Sequence, residues 1–201
     1  MSKTEFQYFY KRNLPHYQPP AASFFITFRL YGSLPALVIK QLEELRSLKK
    51  ETDSSEKFDL EYIKQDRAFT MLERYLDHPE NGPQWLKEVQ IAQLISDAIH
   101  YRDGKVYTLD AFCIMPNHVH LVITPKLCDY QYYSLARIMK SLKGYTARWA
   151  NQLLGRSGYF WHHESYDHAI RSEQELMRIV EYVLDNPRKA GLEGSWIFSR
   201  W

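Results

Sequence analysis

Two histidines separated by one residue lie in the segment MPNHVHLVITP, which has the alternating pattern of a β-strand. Successive side chains of a strand point to opposite faces, so His118 and His120 are expected on the same face. Two imidazoles that converge on one point form half of a metal site, because neutral imidazole is a common metal ligand. The spacing leaves a second interpretation open, in which a solvent-facing histidine pair alternates with the core residues Val119 and Leu121.

A tyrosine and an asparagine lie four residues apart in EYVLDNPRKAGL, on a predicted helix near the end of the sequence. Side chains at this spacing share a helix face, so Tyr182 and Asn186 are expected to project together. Asn186 would add a carbonyl oxygen to a metal held by the histidines, and Tyr182 would present its hydroxyl to a metal-bound phosphate. In the other interpretation, Tyr182 is one of fifteen tyrosines and packs its ring beside Ile179 and Val183.

These residue types suit the cleavage of a phosphodiester bond. A tyrosine hydroxyl, with an ordinary pKa near ~10, is a poor nucleophile at neutral pH and needs a nearby cation. A divalent metal favours the phenolate and polarises the phosphate. Two imidazoles and an amide oxygen suit Mg²⁺ or Mn²⁺, although these ligand types also permit Zn²⁺. A phosphotyrosine ester keeps the energy of the broken bond, so a free 3′-hydroxyl can rejoin the strand without ATP.

A predicted helix at 133–154 offers a surface for a polyanion, because residues 130–163 contain five bases and no acid. The bases expected to contact phosphates are Arg137, Lys140, Lys143 and Arg148. The apolar residues expected to face the core are Leu135, Ile138, Leu142, Tyr145, Trp149 and Leu153. Aromatic rings among these bases, including Trp161, would stack unpaired nucleobases. The alternative is a solvated helix face beside core aromatics.

Three more residues are candidate nucleic-acid contacts. Adjacent strand residues point to opposite faces, so His162 and His163 are not expected to share one metal ion. His163 is therefore considered as a DNA contact near the site, with a structural role as the alternative. Arg188 and Lys189 follow Asn186 and would clamp the scissile backbone, although bases near a helix C-terminus also occur because of the helix dipole.

Composition limits the class of protein. The 201 residues suit one domain, and 45% apolar with 25% charged residues is typical of a globular protein. Two cysteines are too few for a disulfide framework. The N-terminus lacks the apolar stretch of a signal peptide, and no 18-residue apolar segment predicts a membrane span. We therefore expect a cytoplasmic protein.

Strand and helix signals alternate along the chain. Strands are predicted at about 22–31, 105–115 and 118–125, with short ones around 159–163 and 168–171. Helices are predicted at about 34–50, 59–77, 84–100, 133–154 and 172–186, with Ser172 as an N-cap and Pro187 as the stop. This order predicts an α+β sandwich with a mainly antiparallel sheet and helices against one face. We expect one domain, residues 1–201, in which about 48–83 form a helical elaboration of the first crossover.

Taken in order, these segments resemble the single-tyrosine HUH transposases, and most closely the REP-associated tyrosine transposases. The likeness runs from FFITFRLYG through YLDHPENGPQWL, MPNHVHLVITP and SLKGYTARWAN to YFWHHESYDHAIRSEQELMRIVEYVLDNPRKAGL. The histidine pair after MPN, the FWxxESYDHxIR run and the final YxxxNPxKAG are specific in combination. The central letter of HUH denotes a hydrophobic residue, and Val119 fills that position here.

The resemblance implies that His118 and His120 bind the metal, that Tyr182 is the nucleophile, and that Asn186 completes or supports the metal site. It implies a ferredoxin-like or RRM-like fold. It also implies that the substrate is single-stranded or hairpin DNA such as repeated palindromes, cut with Mg²⁺ or Mn²⁺ to leave a 5′-phosphotyrosine and a free 3′-hydroxyl. The protein would then be bacterial and nucleoid-associated when bound to DNA, acting as a monomer or a homodimer.

Two other functions stay open at this point. A domesticated relative would bind repeated hairpins through the basic helix without transposing, and it would form no covalent adduct with DNA. A metal phosphodiesterase acting on small nucleotides fits the histidine pair but gives the basic, aromatic helix no purpose.

Overall fold

A five-stranded antiparallel sheet forms the centre of the protein in the computed structural model, which describes residues 9–11, 15–47, 69–76, 82–192 and 196–201. The strands are β1 (Phe9–Lys11), β2 (Pro15–Tyr17), β3 (Phe24–Arg29), β4 (Tyr107–Ile114), β5 (His118–Pro125), β6 (Leu127–Cys128), β7 (Gln131–Tyr132), β8 (Tyr166–Ala169) and β9 (Trp196–Ser199). The central sheet has the order β8-β3-β5-β4-β9, while β1 pairs with β2 and β6 with β7. The predicted α+β class with an antiparallel sheet is confirmed.

Within the described residues, five helical segments and one short 3₁₀ helix accompany the sheet. They are α1 (Ala36–Ser47), α2 (69–76), the 3₁₀ helix Trp85–Lys87, α3 (Val89–His100), α4 (Leu135–Leu153) and α5 (Glu173–Lys189). Of the predicted elaboration at 48–83, the stretches 48–68 and 77–81 lie outside the described residues, and 69–76 is helical. Within the described part of the chain, no helix combines the length and apolar character needed to cross a membrane.

Helices cover both faces of the sheet, so the prediction of helices against one face is wrong. Phe24, Ile26 and Phe28 point to the face on which α3 and α4 pack. Phe25 and Val122 point to the opposite face, where α5 and α2 pack. Because side chains alternate along a strand, β3 and β5 supply apolar residues to both cores and leave neither face open.

The predicted helix at 84–100 is interrupted at its start. Trp85–Lys87 form a 3₁₀ turn, and Glu88 has an extended backbone with φ −66° and ψ 120°. The carbonyl of Glu88 accepts the first helical hydrogen bonds of α3, from the N–H groups of Ile91 and Ala92. Leu86 is buried, which draws the short turn against the core and separates it from α3.

The buried side of α4 differs from the predicted one. Ser134 caps the helix, with its hydroxyl accepting from the N–H of Arg137, and the buried residues are Leu135, Ile138, Met139, Leu142, Thr146 and Ala150. Tyr145, Trp149 and Leu153 were expected to face the core but are exposed. With 3.6 residues per turn, the buried side of the helix passes through Thr146 and Ala150 in its second half. Thr146 is held on this side because its hydroxyl accepts a hydrogen bond from the indole of Trp161.

The C-terminal helix α5 begins as predicted and ends later. The hydroxyl of Ser172 accepts from the N–H of Glu175 at 3.1 Å, which confirms the predicted N-cap. Pro187 does not end the helix, which continues to Lys189. A proline removes one backbone donor from the helix. The last helical turn still forms, because the N–H of Ala190 donates to the carbonyl of Asn186.

Two short strands differ from expectation at the sheet edges. The segment predicted as a strand at 159–163 forms only an isolated bridge between Trp161 and Leu30, and the next strand lies at Tyr166–Ala169 rather than 168–171. No strand is predicted at 196–199, where β9 pairs with β4 at the opposite edge of the sheet.

Candidate metal centre and active site

The two histidines at the start of β5 point to the face covered by α5. The chain turns at Pro116 and Asn117 between β4 and β5, and β5 begins at His118. Val119 and Leu121 enter the opposite core, so the alternation of the strand turns His118 and His120 towards α5. Both imidazoles are completely buried, and their Nε2 atoms lie 3.0 Å apart. The interpretation as a solvent-facing histidine pair is therefore wrong.

Two neighbouring side chains fix the orientation of the imidazoles. His118 Nδ1 lies 2.7 Å from Asn117 Oδ1, which can only accept, so Nδ1 carries the proton and Nε2 keeps its lone pair. The Asn117 amide is itself held by a hydrogen bond from Nδ2 to the carbonyl of Leu76. His120 Nδ1 lies 2.8 Å from Oγ1 of Thr27 on β3. Both outer nitrogens are thus engaged, which leaves both Nε2 atoms directed at one point.

A buried glutamate that the sequence did not predict completes this cluster. Glu73 lies on α2, and its Oε2 is 3.3 Å from His120 Nε2. One ligand atom from each of Glu73, His118 and His120 can be chosen so that all three lie within 4.8 Å of one another. Oε1 of Glu73 is buried without a hydrogen-bond partner among the described residues. Two imidazoles and an unsatisfied carboxylate oxygen fit a divalent cation.

A sequence signal for Glu73 exists in the pattern of α2. Phe69, Leu72, Glu73 and Leu76 have the i, i+3, i+4, i+7 spacing of one helix face, and both Glu73 and Leu76 are buried. An acid within an apolar stripe is rarely buried without a partner. A glutamate at a buried position of this helix therefore indicates a partner side chain in the core, although the pattern does not identify the histidines as that partner.

The predicted nucleophile reaches the same cluster from α5. The hydroxyl of Tyr182 donates a hydrogen bond to Oε2 of Glu73. The Tyr182 ring centroid lies 5.7 Å from that of His120 and 6.0 Å from that of Phe25. Lys189 Nζ lies 5.4 Å from the centre of the tyrosine ring. The phenol is half-buried, so its oxygen contacts the Glu73 carboxylate beside a surface that remains partly open.

The charges of the cluster favour neutral histidine beside an ionised carboxylate. Burial, together with the neighbouring His120, lowers the pKa of His118 to about 3, while Glu73 opposes both effects. Burial raises the pKa of Glu73, but His120, His118 and the Tyr182 hydroxyl outweigh that effect, and its pKa lies below the ordinary value. An unprotonated imidazole and a carboxylate are the forms that bind a metal.

The fourth predicted member of the site, Asn186, lies one helical turn beyond Tyr182. It is buried, with 2% of its surface exposed. The i, i+4 spacing on α5 places its amide on the same side of the helix as the tyrosine ring. Its predicted role as a metal ligand stays a prediction.

Comparison with known proteins identifies the family. The family model described as "Transposase IS200 like" matches residues 84–186, which is more than half of the chain. The chain belongs to the IS200-like transposases. The matched region of this transposase contains His118, His120, Tyr182 and Asn186, whereas Glu73 lies outside it.

The wider comparisons add little at the level of sequence. No curated protein matches the transposase. Among solved structures, a REP-associated tyrosine transposase bound to a REP hairpin is similar, with a TM-score of 0.48 and 15% sequence identity, over 96% of this chain and 76% of that chain.

Four of the predicted nucleic-acid contacts line one cleft of the transposase. The cleft has a volume of about 500 Å³ and lies between α4 and residues 158–167; Lys140, Lys143, Trp161 and His163 line it. His163 and Lys140 are exposed. Lys143 Nζ donates to the carbonyls of His162 and His163 at 2.7 and 2.9 Å, so it stabilises the wall of the cleft. Trp161 is 5% exposed and belongs to the core, which corrects its predicted role in base stacking.

The other predicted contacts lie on the outer surfaces of two helices. Arg137 and Arg148 are exposed on α4. Arg188 and Lys189 are exposed at the end of α5, and both contact the carboxylate of Asp185. Asp185 has a pKa below its ordinary value because of its hydrogen bond with Arg188. The structure thus separates the bases into two groups, with α4 on one face of the sheet and α5 beside Tyr182 on the other.

Proposed function

We propose that this transposase cuts and rejoins single-stranded or hairpin DNA through a 5′-phosphotyrosine formed at Tyr182. The observation that carries the proposal is the meeting of three distant chain segments at one buried point. His118 and His120 come from β5, Glu73 from α2, and Tyr182 from α5. A tyrosine hydroxyl held beside a metal-binding set of side chains is the arrangement that phosphodiester cleavage by a phenol requires.

The proposed metal is Mg²⁺ or Mn²⁺. His118, His120 and Glu73 would hold it, and Asn186 would add its amide oxygen or support the site. When bound, a divalent cation polarises a phosphate oxygen and stabilises the negative charge that develops on it. The fit rests on the orphaned oxygen of Glu73 and on the two imidazole Nε2 atoms, which lie 3.0 Å apart and are directed at one point.

The chain's own residues supply the nucleophile and a route for its proton. The Tyr182 oxygen attacks the phosphorus while its proton passes to Oε2 of Glu73, with which the hydroxyl already shares a hydrogen bond. The bond from phosphorus to the 3′-oxygen breaks, the leaving oxygen takes up a proton from water as a 3′-hydroxyl, and Glu73 releases to water the proton that it received. In the return step a 3′-hydroxyl attacks the phosphotyrosine, and Tyr182 leaves with a proton. No ATP is needed, because one phosphoester bond is exchanged for another.

The exposed basic side chains near Tyr182 would hold the scissile strand. Lys189 Nζ lies 5.4 Å from the centre of the Tyr182 ring, and Arg188 precedes Lys189 on the same turn of α5. Both form ion pairs with Asp185, so a phosphate would replace a carboxylate partner that is partly exposed to solvent. The proposed working form is a monomer or a homodimer that meets its DNA at the bacterial nucleoid.

The test is the formation of a covalent protein–DNA adduct. Labelled hairpins from inverted repeats beside the gene are incubated with the protein and Mg²⁺ or Mn²⁺, and the mixture is run on a denaturing SDS gel. The wild type should give a labelled adduct, Tyr182→Phe should give none, and Tyr130→Phe, a change at a fully exposed ring, should behave as the wild type.

Two outcomes would overturn the proposal. An adduct formed equally well by Tyr182→Phe would show that the nucleophile lies elsewhere. Tight hairpin binding by the wild type with no adduct under any of the metals would identify a DNA-binding protein that no longer cleaves.

A further inference from the structure

Three large apolar side chains of α4 lie at the protein surface. The exposed fractions are 47% for Tyr145, 39% for Trp149 and 52% for Leu153. The centroids of the Tyr145 and Trp149 rings lie 6.3 Å apart, so the two rings form one continuous aromatic surface. Aromatic residues of this size are usually largely buried, and their joint exposure indicates a surface that contacts another molecule.

Each of the two rings has an arginine beside it. Arg102 Cζ lies 5.7 Å from the ring centre of Tyr145, and Arg148 Cζ lies 5.7 Å from that of Trp149. Arg102 is fixed in place, since its guanidinium donates to the carbonyl of Ala98 at 2.7 Å and to Ser141 Oγ at 3.0 Å. We refer to Arg102, Tyr145, Arg148 and Trp149 as the α4 aromatic surface.

We propose that the α4 aromatic surface binds unpaired bases of single-stranded DNA by stacking, at a second contact remote from the cleavage site. The inference rests on the proposed function in taking DNA as the substrate. Every nucleobase has a π-face, and rings interleaved with arginines bind single strands with little sequence preference. The positive charge of this region favours a nucleic acid over a protein partner, because residues 130–163 contain five basic residues and no acidic residue.

The position of this surface defines which part of the DNA it contacts. α4 packs on the sheet face lined by Phe24 and Phe28, whereas Tyr182 and the histidines lie on the opposite face. Sheet and helix layers are each about 10 Å thick, so a strand that reaches both sites must pass around an edge of the sheet. The surface therefore contacts DNA several nucleotides from the scissile phosphate.

The first experiment measures binding without cleavage. Protein that carries Tyr182→Phe is titrated into fluorescein-labelled dT20 in the presence of EDTA, and the fluorescence anisotropy of the oligonucleotide gives Kd. Trp149→Ala and Tyr145→Ala should each weaken binding about 10-fold, the effect expected for the loss of one stacked base. Trp201→Ala removes another exposed tryptophan and is expected to leave Kd unchanged. Because neither metal nor nucleophile is involved, the result is independent of whether the protein cleaves DNA.

The second experiment detects the contact directly. Oligonucleotides containing 5-iodouracil are irradiated in complex with the protein, and mass spectrometry should place the crosslinks on Trp149 or Tyr145. Values of Kd within twofold of the parent for both alanine variants would overturn the proposal. So would a shift of Trp149→Ala from dimer to monomer in sedimentation with dT20 binding retained, since that result would assign the surface to a second copy of the chain.

Discussion

The hydroxyl of Tyr182 donates a hydrogen bond to Oε2 of Glu73, although the two residues lie 109 positions apart in the chain. The same carboxylate oxygen lies 3.3 Å from Nε2 of His120. One oxygen therefore contacts both the proposed nucleophile and a proposed metal ligand. Since α2 carries Glu73 and α5 carries Tyr182, the packing of these two helices positions the phenol relative to the metal centre.

Replacement of Glu73 by glutamine should weaken metal binding. Glutamine keeps the shape of the side chain but loses its charge, so a divalent cation would retain two neutral imidazoles and lose its anionic ligand. We expect the Kd for Mn²⁺ to rise by at least about 10-fold, a change of about 1.4 kcal/mol, measured by electron paramagnetic resonance of free Mn²⁺.

The matched control for this measurement is Glu181→Gln. Glu181 is an exposed carboxylate on α5, one residue before Tyr182, and its loss changes the net charge equally. If both variants bound Mn²⁺ as the wild type does, Glu73 would have no part in the metal site. If both lost affinity to the same degree, the effect would be one of overall charge.

In the absence of metal, the free energy of unfolding should decrease as the pH falls through the range in which His118 is neutral in the folded protein and protonated in the unfolded one. The pKa of His118 is lowered to about 3 in the folded protein, while unfolded histidine titrates near ~6.5. Between these values the unfolded state binds more protons, so the free energy of unfolding should decrease as pH falls, by about 1.4 kcal/mol per unit. Glu73 has a lowered pKa and adds a loss of the same sign only below its ordinary value of 4.5.

Urea unfolding in EDTA between about pH 6 and pH 5 measures this dependence above the ordinary pKa of a glutamate, and comparison with a His118 variant assigns it to that residue. His118→Asn removes the imidazole, and its stability should change much less over the same interval. A wild type whose stability is constant across this range would contradict the depressed pKa of the buried histidine.

The parts of the site that could be predicted are those set by short-range periodicity. A spacing of two residues on a strand places His118 and His120 on one face of the sheet. A spacing of four residues on a helix places Tyr182 and Asn186 on one face of that helix. These relations depend only on the backbone geometry of a single element. The antiparallel sheet could be predicted for the same reason, because the strand patterns and their turns are local signals.

The parts that could not be predicted depend on how elements pack. Glu73 comes to the histidines only because α2 covers the same face of the sheet as α5. The exposure of Tyr145 and Trp149 depends on a rotation of α4 that the bond between Trp161 and Thr146 helps to set, which is a contact across 15 residues. An apolar residue at a flank of the buried stripe has the same sequence signature whether it faces the core or solvent.

Removal of the Thr27 hydroxyl should loosen His120 and reduce metal affinity. Thr27 Oγ1 lies 2.8 Å from His120 Nδ1, and both groups are buried. Thr27→Val keeps the side-chain shape and leaves Nδ1 without its partner. We expect metal affinity to fall about 10-fold and the free energy of unfolding to fall by about 1 to 3 kcal/mol.

Calorimetric titration with Mn²⁺ and urea unfolding measure the two effects separately. Thr108→Val is a control on the same sheet, since Thr108 lies on β4 and is not fully buried. Equal metal affinity in Thr27→Val and the wild type would mean that the orientation of His120 is set by packing alone.

The two lysines that line the cleft beside α4 should respond differently to mutation. Lys140 is exposed, so Lys140→Met should weaken dT20 binding and reduce the slope of log Kobs against log salt by about 0.7, the value for one contact to a single strand. Lys143 holds the loop through the carbonyls of His162 and His163 and through Ser165 Oγ at 3.3 Å. Lys143→Met should therefore lower the free energy of unfolding by about 2 kcal/mol.

Urea unfolding and anisotropy titrations at several salt concentrations distinguish these roles, because methionine keeps the length of either side chain while removing its charge. In Lys143→Met the salt slope should stay close to that of the wild type, since the ammonium donates to the protein and not to phosphate. A smaller slope for Lys143→Met with unchanged stability would instead assign this lysine to the DNA backbone. The wall formed by residues 162–165 would then be stable without it, and the cleft would owe its shape to the packing of Trp161 against α4.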